Sequence, residues 1–120
     1  MGKILVVDDE EVLRMLIVDT LSDEGHVLYE AADGIEALEM IQEHSFDLII
    51  LDYMMPGMTG IEVAEQLSDE WKKKNNILML SAKTQQQDIA QSKAAGIHYY
   101  FPKPFSPIEL ASFVNELINE

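Results

Sequence analysis

Acidic, hydroxyl and lysine side chains follow four of the short apolar runs in this sequence, at the point where each run ends. Asp8 and Asp9 follow the first run, Asp52 the third, Ser81 the fourth and Lys103 the fifth. Each has an ordinary structural explanation, because acidic residues cap helices, aspartates form turns, serines bond nearby backbone and lysines are solvated. If the runs are parallel strands, however, all five side chains lie at one edge of a sheet.

Together these side chains predict a magnesium-dependent phosphoryl site. Three carboxylates that converge in a crevice repel one another unless a cation lies between them. Oxygen ligands without cysteine or clustered histidine favour a hard ion such as Mg²⁺. Ser81 would then supply a hydroxyl donor and Lys103 a positive charge to a tetrahedral anion. A carboxylate at such a site can itself be the nucleophile and form an aspartyl phosphate.

The elements that must position these side chains are five apolar runs alternating with helical patterns. The runs cover residues 4–7, 27–29, 48–51, 77–80 and 99–101. This alternation predicts an α/β fold with a doubly wound, five-stranded parallel sheet, five helices and right-handed crossovers. The first, third and fourth runs are solidly aliphatic and suit central strands, whereas polar residues flank the second and fifth. The predicted strand order is therefore 2-1-3-4-5, with a ligand crevice between strands 1 and 3.

Helix starts are marked by a capping side chain followed three residues later by Glu or Gln, a pattern that satisfies free amide groups reciprocally. The four pairs are Asp33 with Glu36, Thr59 with Glu62, Thr84 with Gln87, and Ser106 with Glu109. Pro107 stands at the favourable first position of the last helix. Gly25, Gly96 and the pair Asn75-Asn76 match the chemistry of helix ends. These signals predict where the helices begin and end.

The composition predicts one folded domain with strong negative charge. The 120 residues are 48% hydrophobic, and we expect a single domain over residues 1–120 without a fused second domain. The net charge of −14 disfavours direct binding of nucleic acid, which requires clustered Lys and Arg. The absence of cysteine excludes disulfides and thiolate catalysis. The apolar run before Asp8 is too short for a signal peptide or a membrane span, so we expect a cytoplasmic protein without membrane contact.

Four segments of the sequence resemble the signature segments of response-regulator receiver domains. They are Val6-Val7-Asp8-Asp9, Leu51-Asp52-Tyr53-Met54-Met55-Pro56-Gly57-Met58-Thr59-Gly60, Leu80-Ser81-Ala82 and Lys103-Pro104-Phe105. The resemblance covers essentially the whole chain, and the four segments in this order are highly specific together. It implies a flavodoxin-like fold and a receiver (phosphoacceptor) domain of two-component signalling.

The resemblance implies a metal-dependent phosphoacceptor. Asp52 would accept a phosphoryl group from a phosphohistidine of a sensor histidine kinase or a histidine phosphotransfer protein. Asp9 would coordinate Mg²⁺ directly, together with Asp52 and the backbone carbonyl of Met54. Asp8 would assist through a water molecule bound to the metal. The chain would then be no enzyme in the metabolic sense, because it would catalyse only its own phosphorylation and dephosphorylation.

The resemblance also implies a conformational switch. Ser81 would donate a hydrogen bond to the phosphoryl oxygen, and Lys103 would form an ion pair with it. Tyr100 would change its rotamer as the switch responds, and the new conformation would be read by a downstream protein target. The peptide bond between Lys103 and Pro104 resembles the cis peptide of the family.

The first helix carries more apolar surface than its core face requires. An arc centred on Leu13, Leu16 and Thr20 is expected to face the core. Val12, Met15 and Val18 fall outside this arc. Scattered apolar surface residues are ordinary, so this excess alone does not identify a function. The functional hypothesis is a docking surface for a kinase or phosphotransfer helix, formed by Val12, Leu13, Met15 and Val18 and interleaved with Arg14.

Other functional classes share parts of this pattern. A magnesium-dependent phosphatase of haloacid-dehalogenase type has its nucleophile early in the chain and an acidic residue two positions later, where this sequence has Met54. A receiver-like domain that works without phosphorylation would not need the complete set of site residues. A histidine-based metalloenzyme lacks support, because His26, His44 and His98 have no ligand spacing.

Two further expectations concern the phosphorylated state. The side chain of Met54 has no group that orients a hydrolytic water molecule, so we expect slow loss of the phosphoryl group. The fourth predicted helix, residues 84–95, is polar and is expected to bury mainly Ile89 and Ala94. Such a weakly held helix is where a phosphorylation-driven population shift is expected.

Overall fold

The computed structural model of the chain describes residues 2–82 and 86–119. In chain order its elements are β1 Lys3–Val7, α1 Glu11–Asp23, β2 Val27–Ala31, α2 Gly34–Glu43, β3 Leu48–Asp52, α3 Gly60–Glu65, α4 Asp69–Lys74, β4 Asn76–Ser81, α5 Gln86–Ala94, β5 Tyr99–Pro102 and α6 Pro107–Ile118. All five predicted strands are present, each slightly longer than predicted. In the part of the chain that is described, no helix has the length and apolar character needed to cross a membrane.

The five strands form one parallel sheet in the order β2-β1-β3-β4-β5, as predicted. The three central strands are almost wholly buried, because their aliphatic side chains are covered on both faces of the sheet. The edge strands β2 and β5 carry exposed or half-buried residues. Since all strands run in the same direction, their carboxyl ends meet at one edge of the sheet.

Helices cover both faces of the sheet and enclose two hydrophobic clusters. The first cluster lies between the sheet and the helices α2 and α3, where Ala37, Ile41 and Val63 are buried. The second cluster lies between the sheet and the helices α1 and α6, where Ile17 and Leu110 are buried. This three-layer arrangement is the predicted doubly wound fold, and it holds the central strands rigidly.

Three of the four predicted helix caps are present. Asp33, Thr59 and Ser106 accept hydrogen bonds from the backbone amide groups three residues later, at 2.8, 3.2 and 3.4 Å. The predicted pair of Thr84 with Gln87 lies outside the residues whose side chains are described. Gly25 and Gly96 adopt the left-handed conformation expected after a helix, with φ of 91° and 92°.

The described residues form six helices where the sequence predicts five, because the third predicted helix is divided into α3 and α4. The end of α3 tightens where the backbone amide of Gln66 bonds to the Val63 carbonyl at 3.1 Å. Ser68 then caps a new helix by accepting a hydrogen bond from the Trp71 amide at 3.0 Å. A serine cap competes locally with helix continuation, and the apolar periodicity across this stretch concealed it.

The helix α1 is rotated relative to the phase predicted from its sequence. Ile17 and Leu21 are buried, whereas Leu16 is 45% exposed, so the expectation that Leu16 centres the buried arc is wrong. Leu13 and Val18 are half-buried and pack against the second cluster. The difference arises because the groove between α1 and α6 determines which side of α1 is covered, and an isolated helical pattern does not contain that contact.

Candidate functional site

The predicted site residues lie at the carboxyl ends of four strands. Asp8 follows β1, Asp52 ends β3, Ser81 ends β4 and Lys103 follows β5. The parallel register of β1 on β3 places Asp8 and Asp52 at the same level of the sheet. Asp8, Asp52 and Ser81 are buried, because the strands that carry them are buried on both faces. The structure therefore brings these side chains together at the topological switch point of the sheet.

The carboxylates of Asp8, Asp9 and Asp52 form an acidic cluster. Each contributes one oxygen atom, and these atoms lie within 4.8 Å of one another. The Oδ1 atom of Asp8 accepts a hydrogen bond from the Glu10 amide at 2.9 Å. Its Oδ2 atom is buried and, among the described residues, has no hydrogen-bond partner. A buried carboxylate oxygen without a donor is unfavourable, so the cluster fits a metal ion that this oxygen faces, directly or through water.

Lys103 is the positive charge at this site. Its Nζ atom donates a hydrogen bond to Oδ1 of Asp52 at 3.0 Å and lies 3.6 Å from Oδ2 of Asp8. The Lys103–Pro104 peptide bond is cis. The backbone amide of Lys103 donates to the Ser81 carbonyl at 2.8 Å, which ties the lysine to the end of β4.

Burial determines the electrostatics of the cluster. Burial raises the pKa of Asp52 to about 6, because the hydrogen bond from Lys103 offsets only part of the desolvation. The pKa of Asp8 is also raised, mainly by burial, although the Glu10 amide and Lys103 act against it. Burial lowers the pKa of Lys103, but Asp52 and Asp8 outweigh that effect and raise it above its ordinary value. An added cation would therefore stabilise the ionised form of these carboxylates.

Ser81 and Tyr100 form a second part of the site. Ser81 is buried, and Tyr100 is half-buried against the first hydrophobic cluster. Burial raises the pKa of the Tyr100 phenol, and the charge of Asp88 adds to this, while a side-chain hydrogen bond with Ser81 lowers it. The two residues are therefore coupled directly, next to Asp52 and on adjacent strands.

Two further residues, Arg14 and Gly60, contact the backbone of the site aspartates and are not predicted by the sequence motifs. Arg14 donates a hydrogen bond from Nη1 to the Asp8 carbonyl at 2.7 Å and forms an ion pair with Glu30 at 2.9 Å. Gly60 packs so closely that a Cβ atom there would lie 2.5 Å from the Asp52 carbonyl oxygen. Neither contact has a local sequence signal, because each joins residues from different elements.

The predicted docking residues differ in their exposure. Val12 is 82% exposed and Met15 is 51% exposed, whereas Leu13 and Val18 are half-buried in the second cluster. Leu16 stands with Val12 and Met15 on the exposed side of α1. A groove of about 470 Å³ lies between α1 and α6, and its lining includes Ile108, which is 81% exposed. On the α1 side this groove is lined by the polar residues Thr20, Asp23 and Glu24. We call the exposed residues Val12, Met15 and Leu16 the α1 apolar patch.

The sequence matches a family model described as the response regulator receiver domain over residues 4–115. Transcriptional regulatory protein ResD of Bacillus subtilis (strain 168) is 44% identical over 116 residues, which cover 97% of this chain and 48% of ResD. Transcriptional regulatory protein SrrA of Staphylococcus aureus (strain NCTC 8325 / PS 47) is 38% identical over 117 residues, which cover 98% of this chain and 48% of SrrA. The chain spans about half the length of these curated relatives.

Solved structures share the whole fold. The chemotaxis response regulator CheY4 of Vibrio cholerae matches with a TM-score of 0.91 at 37% identity, covering 98% of each chain. The Francisella response regulator 1452 receiver domain matches with a TM-score of 0.90 at 31% identity, covering 99% of this chain and 98% of that one. The resemblance drawn from the sequence motifs is thus confirmed, and the chain belongs to the response regulator receiver domain family.

Proposed function

We propose that this chain accepts a phosphoryl group on Asp52 from the phosphohistidine of a sensor histidine kinase or a histidine phosphotransfer protein. The observation that carries the proposal is the buried Asp52 carboxylate, held 3.0 Å from Lys103 within the acidic cluster. The proposal treats residues 1–120 as one receiver domain, and it includes a cytoplasmic location, as the resemblance implies.

The proposed reaction is a direct transfer between two side chains. An oxygen atom of the Asp52 carboxylate attacks the phosphorus atom, the bond between phosphorus and the histidine nitrogen breaks, and its electron pair remains on that nitrogen. The attack requires the ionised carboxylate. With its pKa raised to about 6, Asp52 is mostly ionised at neutral pH but is protonated in mild acid, where transfer is therefore expected to be slow.

Mg²⁺ is the ion proposed for the acidic cluster, because small carboxylate sites with open positions for water and phosphate oxygens suit its octahedral coordination. When bound, the ion would neutralise negative charge on the phosphoryl group. Asp9, Asp52 and the Met54 carbonyl would hold it, and Asp8 would assist through water. The unsatisfied Oδ2 atom of Asp8 supports this assignment.

The remaining polar residues would stabilise and transmit the phosphorylated state. Lys103 is proposed to exchange its ion pair with Asp52 for one with the phosphoryl group. Ser81 is proposed to donate its hydroxyl to a phosphoryl oxygen, which alters the hydrogen bond it shares with Tyr100. The rotamer of Tyr100 would then report the phosphorylation state at the surface of β5 to a downstream protein target.

The docking partner is proposed to be a helix of the kinase or phosphotransfer protein. The α1 apolar patch supports this, because α1 begins at Glu11, two residues after Asp9 of the acidic cluster. Of the predicted docking residues, Val12 and Met15 have exposed side chains that would contact the partner helix. Leu13 and Val18 pack against the second cluster and would hold α1 in place. With a net charge of −14, the chain is not proposed to contact nucleic acid directly.

The experiment is phosphorylation by a panel of radiolabelled histidine kinases and by a small-molecule phosphodonor, in the presence of Mg²⁺. We expect Asp52→Asn to abolish labelling, while Asp69→Asn, a matched change at a residue whose side chain is 96% exposed, retains it. Label that persists on Asp52→Asn at the wild-type level would contradict the proposal, as would a wild-type chain that no donor labels.

A further inference from the structure

Arg14 makes two hydrogen bonds that join three elements. It lies in the second turn of α1, and its side chain is only 15% exposed. Its Nη1 atom donates to the backbone carbonyl of Asp8 at 2.7 Å, in the loop after β1. Its Nε atom donates to Oε1 of Glu30 on β2 at 2.9 Å. Arg14 is therefore engaged within the domain and is not a free charge of the docking surface.

These bonds complete the fixation of Asp8. The Asp8 amide donates to the Ala31 carbonyl at 3.2 Å, its carbonyl accepts from Arg14, and its Oδ1 atom accepts from the Glu10 amide. Only Oδ2 remains without a hydrogen bond in the described structure. The orientation of this oxygen therefore depends on how the Asp8 peptide group is held. The same is true of the backbone path from Asp8 to Asp9.

The N-cap side chain of α1 does not hold this loop. Glu10 occupies the N-cap position of α1, and its side chain makes no capping hydrogen bond. The planar guanidinium group can serve the Asp8 carbonyl and the Glu30 carboxylate at the same time, which a lysine ammonium cannot do with the same geometry. Arg14 therefore fixes the loop at the point where the acidic cluster meets the helix, by donating to the Asp8 carbonyl.

We propose that Arg14, oriented by Glu30, is a positioning residue that sets Asp8 and Asp9 for binding a divalent cation. The inference rests on the proposed function for its biological meaning, but the binding step can be measured alone. Groups that orient metal ligands typically affect metal affinity about 10–100-fold. A purely electrostatic role predicts the opposite sign, since removing the positive charge of Arg14 would tighten the binding of a cation.

The test is calorimetric titration of the chain with MgCl₂ at neutral pH. We expect Arg14→Gln to weaken Mg²⁺ binding about tenfold and Glu30→Gln to weaken it less. Arg14→Lys should recover part of the affinity, because it can keep one hydrogen bond to the Asp8 carbonyl, although its retained charge acts against cation binding. Lys73→Gln, which removes a positive charge at an exposed residue of α4, serves as the matched control and should remain within about twofold of wild type.

A second readout requires no metal ion. Amide exchange of Glu10, whose N–H donates to Oδ1 of Asp8, should be about tenfold faster in Arg14→Gln, while the amides of β3 keep the wild-type rate.

A third readout is the Mg²⁺ dependence of phosphorylation by a small-molecule donor. Arg14→Gln should need about tenfold more Mg²⁺ for half-saturation, with a rate at saturating Mg²⁺ within about twofold of wild type.

Unchanged or tighter Mg²⁺ binding by Arg14→Gln would overturn the inference, as would unchanged exchange of the Glu10 amide. If Arg14→Gln does not fold, the milder Glu30→Gln decides the question by the same titration. A wild-type chain that binds Mg²⁺ but is not phosphorylated would overturn the proposed function and leave the role of Arg14 in place.

Discussion

At the scale of single residues, the site is a balance between burial and charge. Asp52 and Asp8 are withdrawn from water, and Lys103 supplies one positive charge for two carboxylates. The exposed Asp9 adds a third negative charge at the mouth of the site. The arrangement is therefore unfavourable without a cation, as is common where stability is given up for function.

This balance predicts that Asp52→Asn stabilises the chain in buffer without divalent cations. A raised carboxyl pKa means that the folded state binds more protons than the unfolded state between about pH 4 and 6, so the stability contributed by Asp52 falls as the pH rises through that window. The displacement from 3.8 to about 6 corresponds to about 3 kcal/mol above pH 6. This displacement already includes the hydrogen bond and charge of Lys103, so we expect a net gain of at most about 3 kcal/mol.

Urea unfolding of wild type and Asp52→Asn between pH 4 and 8, in the presence of a chelator, measures this effect. The gain should be present at pH 7–8 and disappear near pH 4, where both forms are neutral at this position. Asp69→Asn should show no such trend. Equal stability of the two proteins at all pH values would mean that burial does not dominate the electrostatics of Asp52.

Met54 leads to a prediction about the lifetime of the phosphorylated state. Its side chain is 55% exposed beside the acidic cluster and offers no group that orients water. We expect Met54→Asn to accelerate phosphate loss about three- to tenfold, a small part of the ~100-fold that a positioned acid or base commonly contributes. The decay of radiolabelled protein in Mg²⁺ buffer measures the rate, with Met54→Leu as the control. Equal decay of the Asn and Leu variants would show that this position does not limit hydrolysis.

At the scale of elements, α1 has a buried side and an exposed apolar side. Ile17 and Leu21 anchor it in the second cluster, while Val12, Met15 and Leu16 remain exposed. Apolar side chains spaced three and four residues apart form a continuous stripe on a helix. An apolar stripe of this kind is a surface that an amphipathic partner helix can cover.

Met15→Glu is predicted to slow phosphotransfer from the cognate kinase or phosphotransfer protein about tenfold, because a charge in an apolar interface opposes docking. Phosphorylation by a small-molecule donor should remain within about twofold of wild type. Ile35→Glu, at a 65% exposed apolar residue of α2 on the other face of the sheet, is the matched control. An equal loss with both kinds of donor would indicate damage to the site and contradict the docking role.

The helix α5, which lies between Ser81 and Tyr100 in the chain, is less apolar than α1, α2 and α6. Its Ser92 is buried and donates to the Asp88 carbonyl at 3.1 Å, Ile89 is half-buried, and Ala94 is exposed, so the expectation that Ala94 is buried is wrong. Ala95, just after the helix, is buried instead. With few apolar side chains against the core, α5 is expected to open more readily than its neighbours.

We predict that the central amides of α5 exchange about tenfold faster than those of α1, which corresponds to about 1.4 kcal/mol in the free energy of local opening. Hydrogen exchange followed by NMR at neutral pH measures this, with α6 as an internal reference for a well-packed helix. Exchange in α5 at or below the rate of α1 would contradict the weak packing.

At the scale of the whole molecule, the chain is a signalling domain and not a metabolic enzyme, as its family shows. Its polar chemistry is concentrated at one edge of the sheet, and its surface carries most of the charge of −14. The sheet supplies the scaffold, and the ends of its strands at the carboxyl edge carry the candidate site. The transcriptional regulators ResD and SrrA are about twice as long as this chain.

The sequence by itself determined the fold class, the strand order and the edge of the sheet where the site lies. These properties follow from local patterns: aliphatic runs, capping pairs such as Thr59 with Glu62, and polar residues directly after strands. These properties can be predicted without tertiary information, because each pattern depends on neighbours within a few residues along the chain.

The tertiary structure alone decided how α1 is rotated, where the third predicted helix divides, and which contacts hold the acidic cluster. The exposure of Leu16, the bonds of Arg14 to Asp8 and Glu30, and the close approach of Gly60 to the Asp52 carbonyl join parts of the chain that are distant in sequence. No spacing rule encodes such contacts, because they arise only when the helices settle against a completed sheet.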